Sequence, residues 1–517
     1  MIQPPRQATV VARQTPCFTA EQRQAVLEKT ENNVFNFPAE MVTVDLLTDS
    51  GTAAPYQNQI AALSLNDESY GRPQTYFYFL DAMRDFAERG DKPKKRWISL
   101  FEGNRSFSDL IEMYGEFEAE RGLINGGVAQ LEHPNAYIVP QGRCCEALLF
   151  SSLANYFKGD EPKYCVSNGF FDTTRANAMV NGFKPIDFFR RDIFDPYPVE
   201  KVGVENPFRG NMEIDELVPF LEANQSRTGL VIMTLTNNSG AAQPVSMQNM
   251  KDVRAICDKF NLPLWIDGAR IVDNAAFIKL YEPGFADVSI PEIMRQLFAL
   301  CDGFHISLKK ALCHIGGFMS LRHEGMVLTK YPGINTEMKK RQIIQYANDS
   351  YGGLSSKEHV FCILAVNNTV KEDFIIPRIK QTEYLALEMA KRNVPVILPP
   401  GGHSCNIDIQ RFFPNSSWDE YKGIGLVAEL LRLYGIRGCE LGSAAFEWDR
   451  FEQLPERLPP NLVRFAIPAN VYGKEHMDYV AEAVASLYQH RDSVPSYRIG
   501  RGKDVDLRHF VVAYEKI

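Results

Sequence analysis

The chain has 517 residues, 45% hydrophobic and 23% charged, with a net charge of −8 at pH 7. That length exceeds what one hydrophobic core serves and predicts two domains, with room for one to be discontinuous, while the ordinary globular balance excludes a disordered or fibrous chain. An acidic chain with no long basic run is not expected to bind nucleic acid, and a sequence without roughly eighteen consecutive apolar residues is not expected to span a membrane. The ten cysteines show no metal-like Cys-x-x-Cys pattern. The adjacent Cys144 and Cys145 predict reduced thiols, and the start MIQPPRQATVVARQTP has no apolar core of signal-peptide length, so the expected setting is cytoplasmic.

Taken in order, residues 1–45 are polar and proline-containing, with a helix expected near 21–29, and read as an arm. From Val44 a short strand leads through a Thr/Asp/Ser/Gly turn into a helix. The stretch 67–79 (DESYGRPQTYFYF) is aromatic with Gly and Pro and is expected to be a loop; residues 80–131 read as largely helical. Strands and helices alternate from Tyr137. YIVP, residues 164–167, the continuous apolar run GLVIMTL (229–235), LPLWID and GFMSLR (317–322) are expected strands of a mostly parallel α/β sheet. After YGGL (351–354) helices dominate, and the tail, with SCNIDIQRF, IRGCEL and LVRFAIP between helices, reads as a smaller α+β domain. The expected division is therefore 1–45, 46–355 and 356–517.

Chemistry concentrates in residues 302–317 (DGFHISLKKALCHIGG) and in WIDGAR (265–270). A lysine such as Lys310 can tether an aldehyde, and a buried strand-end aspartate such as Asp267 can hold a pyridinium nitrogen protonated. These are the two protein groups that pyridoxal phosphate (PLP) requires. Taken singly each has a plainer reading, Asp267 as a helix cap and Lys310 as an ordinary lysine; their order within an α/β pattern carries the inference. Gln141-Gly142-Arg143 lies between a strand and a helix, where N–H groups, a glycine and an arginine suit a phosphate, although a plain turn reads the same. Ser307 can add a hydroxyl or serve its own loop. Phe171 can stack on a ring or fill a core, and Asp172 beside it offers a second carboxylate. Asn238 and Arg270 can meet a phenolic oxygen, Asn238 being equally a turn former. Arg464, inside the apolar LVRFAIP, needs a partner, either a structural acid or a substrate carboxylate. Tyr70 can donate a proton or pack. No GxSxG or HExxH motif supports a serine or zinc hydrolase.

Together these pieces resemble tryptophanase and tyrosine phenol-lyase, the β-eliminating lyases of PLP fold type I. The matching motifs run nearly end to end: DLLTDSGT (45–52), DESY (67–70), QGR (141–143), FFDTT (170–174), QPVS (243–246), DGARIVDNAAFIK (267–279), SLKK (307–310), IGGF, YGGL, GIRGCELG (435–442), LVRFAIP and LRHF (507–510). The resemblance implies a large PLP-binding domain over 46–355 with an insertion over roughly 86–135. It implies that Lys310 holds the cofactor and moves the Cα proton, with Lys309 near the phosphate. Gln141, Gly142, Arg143 and Ser307 would bind the phosphate, Phe171 would stack, Asp267 would pair the ring nitrogen, and Asn238 and Arg270 would meet the phenolic oxygen. Arg464 and Thr48 would grip the substrate carboxylate. Tyr70, supplied across a subunit interface in the family, would protonate the leaving group. Gly51 and Glu68 match positions for a monovalent cation, usually potassium, and His314 stands where the family offers a carbonyl to it, in a stretch one residue shorter here. A homodimer or homotetramer is implied.

At three subfamily positions, Leu441, Asp172 and His509, the chain is similar to tryptophanase; a phenol hydroxyl wants a charged partner that Leu441 lacks, whereas an indole tolerates an apolar wall. The expected activity is α,β-elimination from a tryptophan-like or other β-substituted L-amino acid to pyruvate, ammonia and a leaving group. A carbon–sulfur lyase or a specialised β- or γ-elimination enzyme is the alternative, motivated by the insertion and by the alanines of SGAAQP, where the family tends to glycine. A catalytically silent PLP-fold scaffold is the second.

Overall fold

The apolar runs assemble into one seven-stranded sheet in the computed structural model, which describes residues 13–103, 107–119, 123–124, 135–159, 161–310, 312–451 and 459–517. Its strands are β1 (Ala136–Val139), β2 (Lys163–Ser167), β3 (Phe183–Asp187), β4 (Thr228–Thr234), β5 (Leu264–Asp267), β6 (Gly303–Ser307) and β7 (Gly317–Leu321). They lie in the order β1-β7-β6-β5-β4-β2-β3, with β7 antiparallel to both neighbours and every other pairing parallel. All residues of β4 are buried, which is why its sequence is continuously apolar instead of alternating. The chain therefore has the expected α/β architecture.

The helices that matter for the site are α1 (Ala20–Lys29), α2 (Gln74–Arg84), α3 (Gly142–Leu153), α4 (Asp172–Val180), α5 (Ser356–Thr369), α6 (Glu372–Lys391), α7 (Lys422–Tyr434) and α8 (Lys474–Gln489). Residues 67–73 form the expected loop, but helix α2 corrects that expectation over 74–79. Pro73 stands at its start, and everything from Thr75 to Arg84 is buried. A helix covered on every side has no amphipathic stripe to betray it, so its aromatic run hides the helical period. It packs along α5, where the His359 ring stacks on Phe79 at 5.4 Å.

A second, antiparallel sheet is built from β8 (Ser404–Asp408), β9 (Cys439–Leu441) and β10 (Leu462–Ala466), ordered β9-β10-β8. Leu27, Val34 and Phe37 share its core with Leu426, Leu430 and Val484, so the N-terminal segment packs with the tail of the chain. The expected division at 355/356 falls before α5, whose Cys362, Ile363 and Val366 lie in the core of the large sheet. The passage between cores occurs within α6: Phe374, Ile375 and Ile379 serve the first, Leu385, Ala386 and Met389 the second. Among the described residues no helix is long and apolar enough to cross a membrane.

The described part of segment 86–135 is held to α2 by ion pairs. Arg89 reaches Asp81 at 2.8 Å and Asp85 at 2.7 Å, and Arg96 lies 3.5 Å from Asp81. The Asp81 side chain has no exposed surface, so removing Arg89, its hydrogen-bonded partner, leaves a buried charge faced only by the more distant Arg96. Arg89→Ala should lower stability by about 3–5 kcal/mol in denaturant unfolding. An unchanged midpoint would show the network to be dispensable.

Candidate active site

Strand β5 is apolar until its C-terminal Asp267; β6 carries His305 between apolar neighbours and ends in Ser307, after which a short turn, Leu308–Lys310, carries the lysines. That end of a parallel sheet is where such folds bind ligands. Gln141, Gly142, Arg143, Phe171, Asn238, Asp267, Arg270, Ser307 and Lys310 line a single pocket there. Lys309 stands just outside, with its stem against Gly51.

The Lys310 amine donates to Ser50 Oγ at 2.8 Å and lies 3.5 Å from Ser307 Oγ. Burial, assisted by the nearby Arg270 cation, pushes this ammonium down to about 8. Across the pocket Asp267 is buried, and burial raises its carboxyl against the opposing pull of His305. Gly142 opens α3, whose leading N–H groups have no partner within the helix. A Cβ on Gly142 would lie 2.9 Å from that of Ser307, so only glycine lets the two segments close around this corner.

Arg270 is engaged by Asp49 through Nη2 at 2.6 Å and Nε at 3.2 Å. Asn238 Oδ1 accepts from Arg464 at 3.3 Å and lies 3.0 Å from His403 Nε2, while its buried Nδ2 has no hydrogen-bond partner. Arg464 also donates to the Leu47 carbonyl at 3.3 Å, beside Thr48, whose hydroxyl accepts from the Ser50 N–H at 3.0 Å. The guanidinium is 7% exposed and makes no ion pair with a carboxylate among the described residues. His509 Nε2 lies 3.7 Å from Asp172 Oδ2, and burial pushes its imidazole down. Leu441 is buried in an apolar cluster with Ala241, Ile397 and Leu462.

Other candidates lie apart. Tyr70 is 61% exposed, its ring 5.4 Å from that of Tyr351 and outside the pocket. Glu68 faces Lys357 at 3.7 Å. A Cβ on Gly51 would come within 3.0 Å of the His314 carbonyl, so those two cation candidates adjoin.

Sequence reasoning missed several residues. Ser50 and Asp49 lay inside the quoted DLLTDSGT motif, but their contacts are long-range. Glu146 also lines the pocket, one helical turn after Gly142, and spacing could have found it. His305 lines it as well, two residues before Ser307 on the same strand face.

These residues fit PLP: an amine of lowered basicity, a buried carboxylate facing the same pocket, a helix start with Arg143 for a phosphate, and the unpartnered Asn238 amide. The chain matches the family described as Beta-eliminating lyase across residues 45–483. It belongs to the beta-eliminating lyases. This beta-eliminating lyase is 31% identical to the tryptophanase of Salinibacter ruber, over 95% of its own length and 90% of the relative's. It is 32% identical to the tryptophanase of Rhodobacter capsulatus (96% and 95%) and 29% identical to the tyrosine phenol-lyase of Symbiobacterium thermophilum (96% and 95%). Among solved structures it resembles serine palmitoyltransferase of Sphingomonas wittichii with a TM-score of 0.52 at 12% identity, over 92% of this chain and 97% of that one. Threonine aldolase of Leishmania major gives 0.51 at 11%, over 86% and 99%. The fold is that of PLP fold type I, and the protein is a PLP-dependent lyase acting on a small-molecule amino-acid substrate. The silent-scaffold alternative falls.

One consequence of the depressed lysine concerns stability. The folded chain resists charging Lys310, whereas the unfolded chain holds that proton until near pH 10.5. The penalty is complete below about pH 8 and fades as pH rises toward 10.5. Lys310→Met should therefore stabilise the cofactor-stripped chain at pH 7 by about 1–3 kcal/mol, with the gain shrinking by pH 10. Denaturant unfolding at both pH values reads it; a pH-independent difference would contradict the burial.

Proposed function

We propose that the enzyme eliminates the β-substituent of an L-amino acid, tryptophan-like aromatics preferred, releasing pyruvate, ammonia and the leaving group. Gln141, Gly142, Arg143 and Ser307, with Lys309 close by, hold the phosphate; Phe171 stacks on the ring; Asp267 pairs the ring nitrogen; Asn238 and Arg270 meet the phenolic oxygen. Bound PLP supplies an electron sink for the negative charge that develops at Cα. Lys310 would tether the cofactor, and its amine takes the Cα proton, a task suited to a group titrating near 8. Arg464 and Thr48 grip the substrate carboxylate, a role supported by a buried guanidinium with no acid of its own.

Tyr70 of the partner subunit, in a homodimer or homotetramer, protonates the departing group, with Asp172 and His509 nearby. Gly51 and Glu68 serve a monovalent cation, potassium. In this reading residues 46–355 form the PLP-binding unit, flanked by the 1–45 arm and by the 356–517 unit, whose first helix α5 and the start of α6 pack back into the core of the large sheet.

The observation that carries the aromatic preference is Leu441, which packs with Ala241, Ile397 and Leu462 and itself offers no charge to a phenol hydroxyl. A carbon–sulfur lyase or another β- or γ-elimination is the second reading. It is favoured by Ala241, which adds a methyl to the same wall where the family tends to glycine.

Screening L-tryptophan, L-tyrosine, S-alkylcysteines and L-serine for pyruvate release tests both. L-tryptophan should lead and L-tyrosine trail by at least about tenfold in kcat/KM; preference for S-alkylcysteines would select the second reading. Leu441→Arg should shift the ratio toward tyrosine, and Lys310→Ala should abolish turnover with every substrate.

A further inference from the structure

Asp267 and His305 stand opposite each other in register on the parallel neighbours β5 and β6, and Trp265 stands opposite Gly303. Residues two apart on a strand share a face, so Trp265, Asp267, Gly303 and His305 all lie on one side of the sheet. A Cβ on Gly303 would come 2.4 Å from the indole ring. Only glycine there lets the indole cross onto β6, where its Nε1–H donates to His305 Nδ1 at 2.8 Å. An indole N–H can only donate. Nδ1 must therefore present a lone pair, and the ring proton sits on Nε2.

That Nε2 lies 3.4 Å from Asp267 Oδ1 and 3.7 Å from Glu146 Oε1. Glu146 is fixed in turn by the Thr174 hydroxyl at 2.9 Å and the Asn177 amide at 3.2 Å, both on α4. The Ala269 N–H donates to Asp267 Oδ1 at 3.2 Å. The amide, hydrogen-bonded, and the imidazole, at ion-pair distance, thus stand on one oxygen of Asp267, while the residue itself lines the pocket. The other titratable groups near Asp267 are Cys145 on α3, whose thiol burial pushes up, and Lys310 across the pocket. Burial works against charging the imidazole, but the Asp267 and Glu146 carboxylates outweigh it and raise the ring above its ordinary value; the indole N–H, which can meet only an unprotonated Nδ1, is the contact that favours a single ring proton on Nε2.

We propose that His305 is a positioning residue, its tautomer fixed by Trp265, that holds one oxygen of Asp267 so that the other meets the ring nitrogen of PLP. The inference rests on the reading that Asp267 pairs that nitrogen. A chain at Trp265, His305 and Asp267, backed by Glu146, then converts strand register into ring orientation. Strand residues are held by the sheet ladder, so such a support is stiffer than one built on a loop.

The test compares purified holoenzyme with His305→Ala, His305→Gln, Trp265→Phe and Asp267→Asn. One readout is the dissociation constant for PLP itself by equilibrium dialysis; the other is the visible circular dichroism of the bound cofactor, which reports a fixed ring orientation. His305→Ala should weaken binding at least about tenfold, as removal of the partner of a buried charge does, and lose more than half of the dichroism. His305→Gln, which keeps an N–H at the same reach, should stay within about threefold of the parent. Trp265→Phe, which frees the tautomer, should lose dichroism before affinity.

A His305→Ala protein matching the parent in both readouts, while Asp267→Asn is impaired, overturns the inference alone. Parent-like Asp267→Asn would instead overturn the reading beneath it. Should His305→Ala fail to fold, Trp265→Phe decides: reduced dichroism supports the role and an unchanged band rejects it.

Discussion

One buried carboxylate ties together the three parts of the chain that meet at the pocket. Asp49 is 2% exposed and is held by Arg270, just past the end of β5, and by Arg378, on α6, at 3.0 Å. An isolated carboxylate at that depth would cost several kcal/mol. Burial does act to raise it, but the two guanidiniums and the neighbouring His403 hold it well below the usual carboxylate range. The ion cluster thus joins the 45–52 turn, the large sheet and the helix that passes between the cores. It also places two neighbours of Asp49. Ser50 reaches the Lys310 amine, and the Gly51 N–H donates to the Lys309 carbonyl at 2.8 Å. The turn is docked onto the lysines by a charge that never touches them.

The charges around Lys310 form a balanced set. Arg270 lowers the affinity of the amine for its proton and Asp49 raises it, yet these two are paired with each other, so burial remains the leading influence. Arg378 is shared between Asp49 and Asp273, the latter at 3.6 Å. Arg464 is the buried cation of this region left without a carboxylate among the described residues. A site built for a zwitterionic amino acid has reason to leave one cation open, since the substrate supplies the missing charge on binding and a desolvated guanidinium repays it with a charge-assisted bond. The same open cation weakens the free protein, as functional sites commonly do.

Much of this was legible in the sequence because buried parallel strands announce themselves as apolar runs and end in polar residues. YIVP, GLVIMTL, LPLWID and GFMSLR all became strands of the large sheet, and nine candidate cofactor residues line one pocket. What was not legible had physical causes. Helix α2 is covered on all sides and loses its periodic signature. The division between cores lies inside α6, a continuous helix with no composition change to mark it. Glu146 reads as a solvated helix residue, and His305 as an oddity in an apolar strand, until register brings each to Asp267. Tyr70 is exposed and stands away from the pocket in a single chain, which no local pattern could reveal.

Register also explains why the polar residues of β5 and β6 can be buried at all. A strand interior gives its polar side chains few partners, since the ladder consumes the backbone groups. Here each polar side chain is opposite or adjacent to its own partner, with Asp267 opposite His305, and Trp265 beside Asp267 on the same face with its indole reaching His305. Shifting β5 by one residue would turn Trp265 and Asp267 to the other face, and shifting β6 would turn His305, in either case parting the polar groups inside the core. The apolar residues between them, Ile266, Phe304 and Ile306, would be turned as well, away from the core they now fill. The hydrophobic pattern that fixes the sheet and the polar pattern that shapes the pocket therefore demand the same register. That agreement gives a carboxylate and an amine, from separate parts of the chain, a common pocket to face.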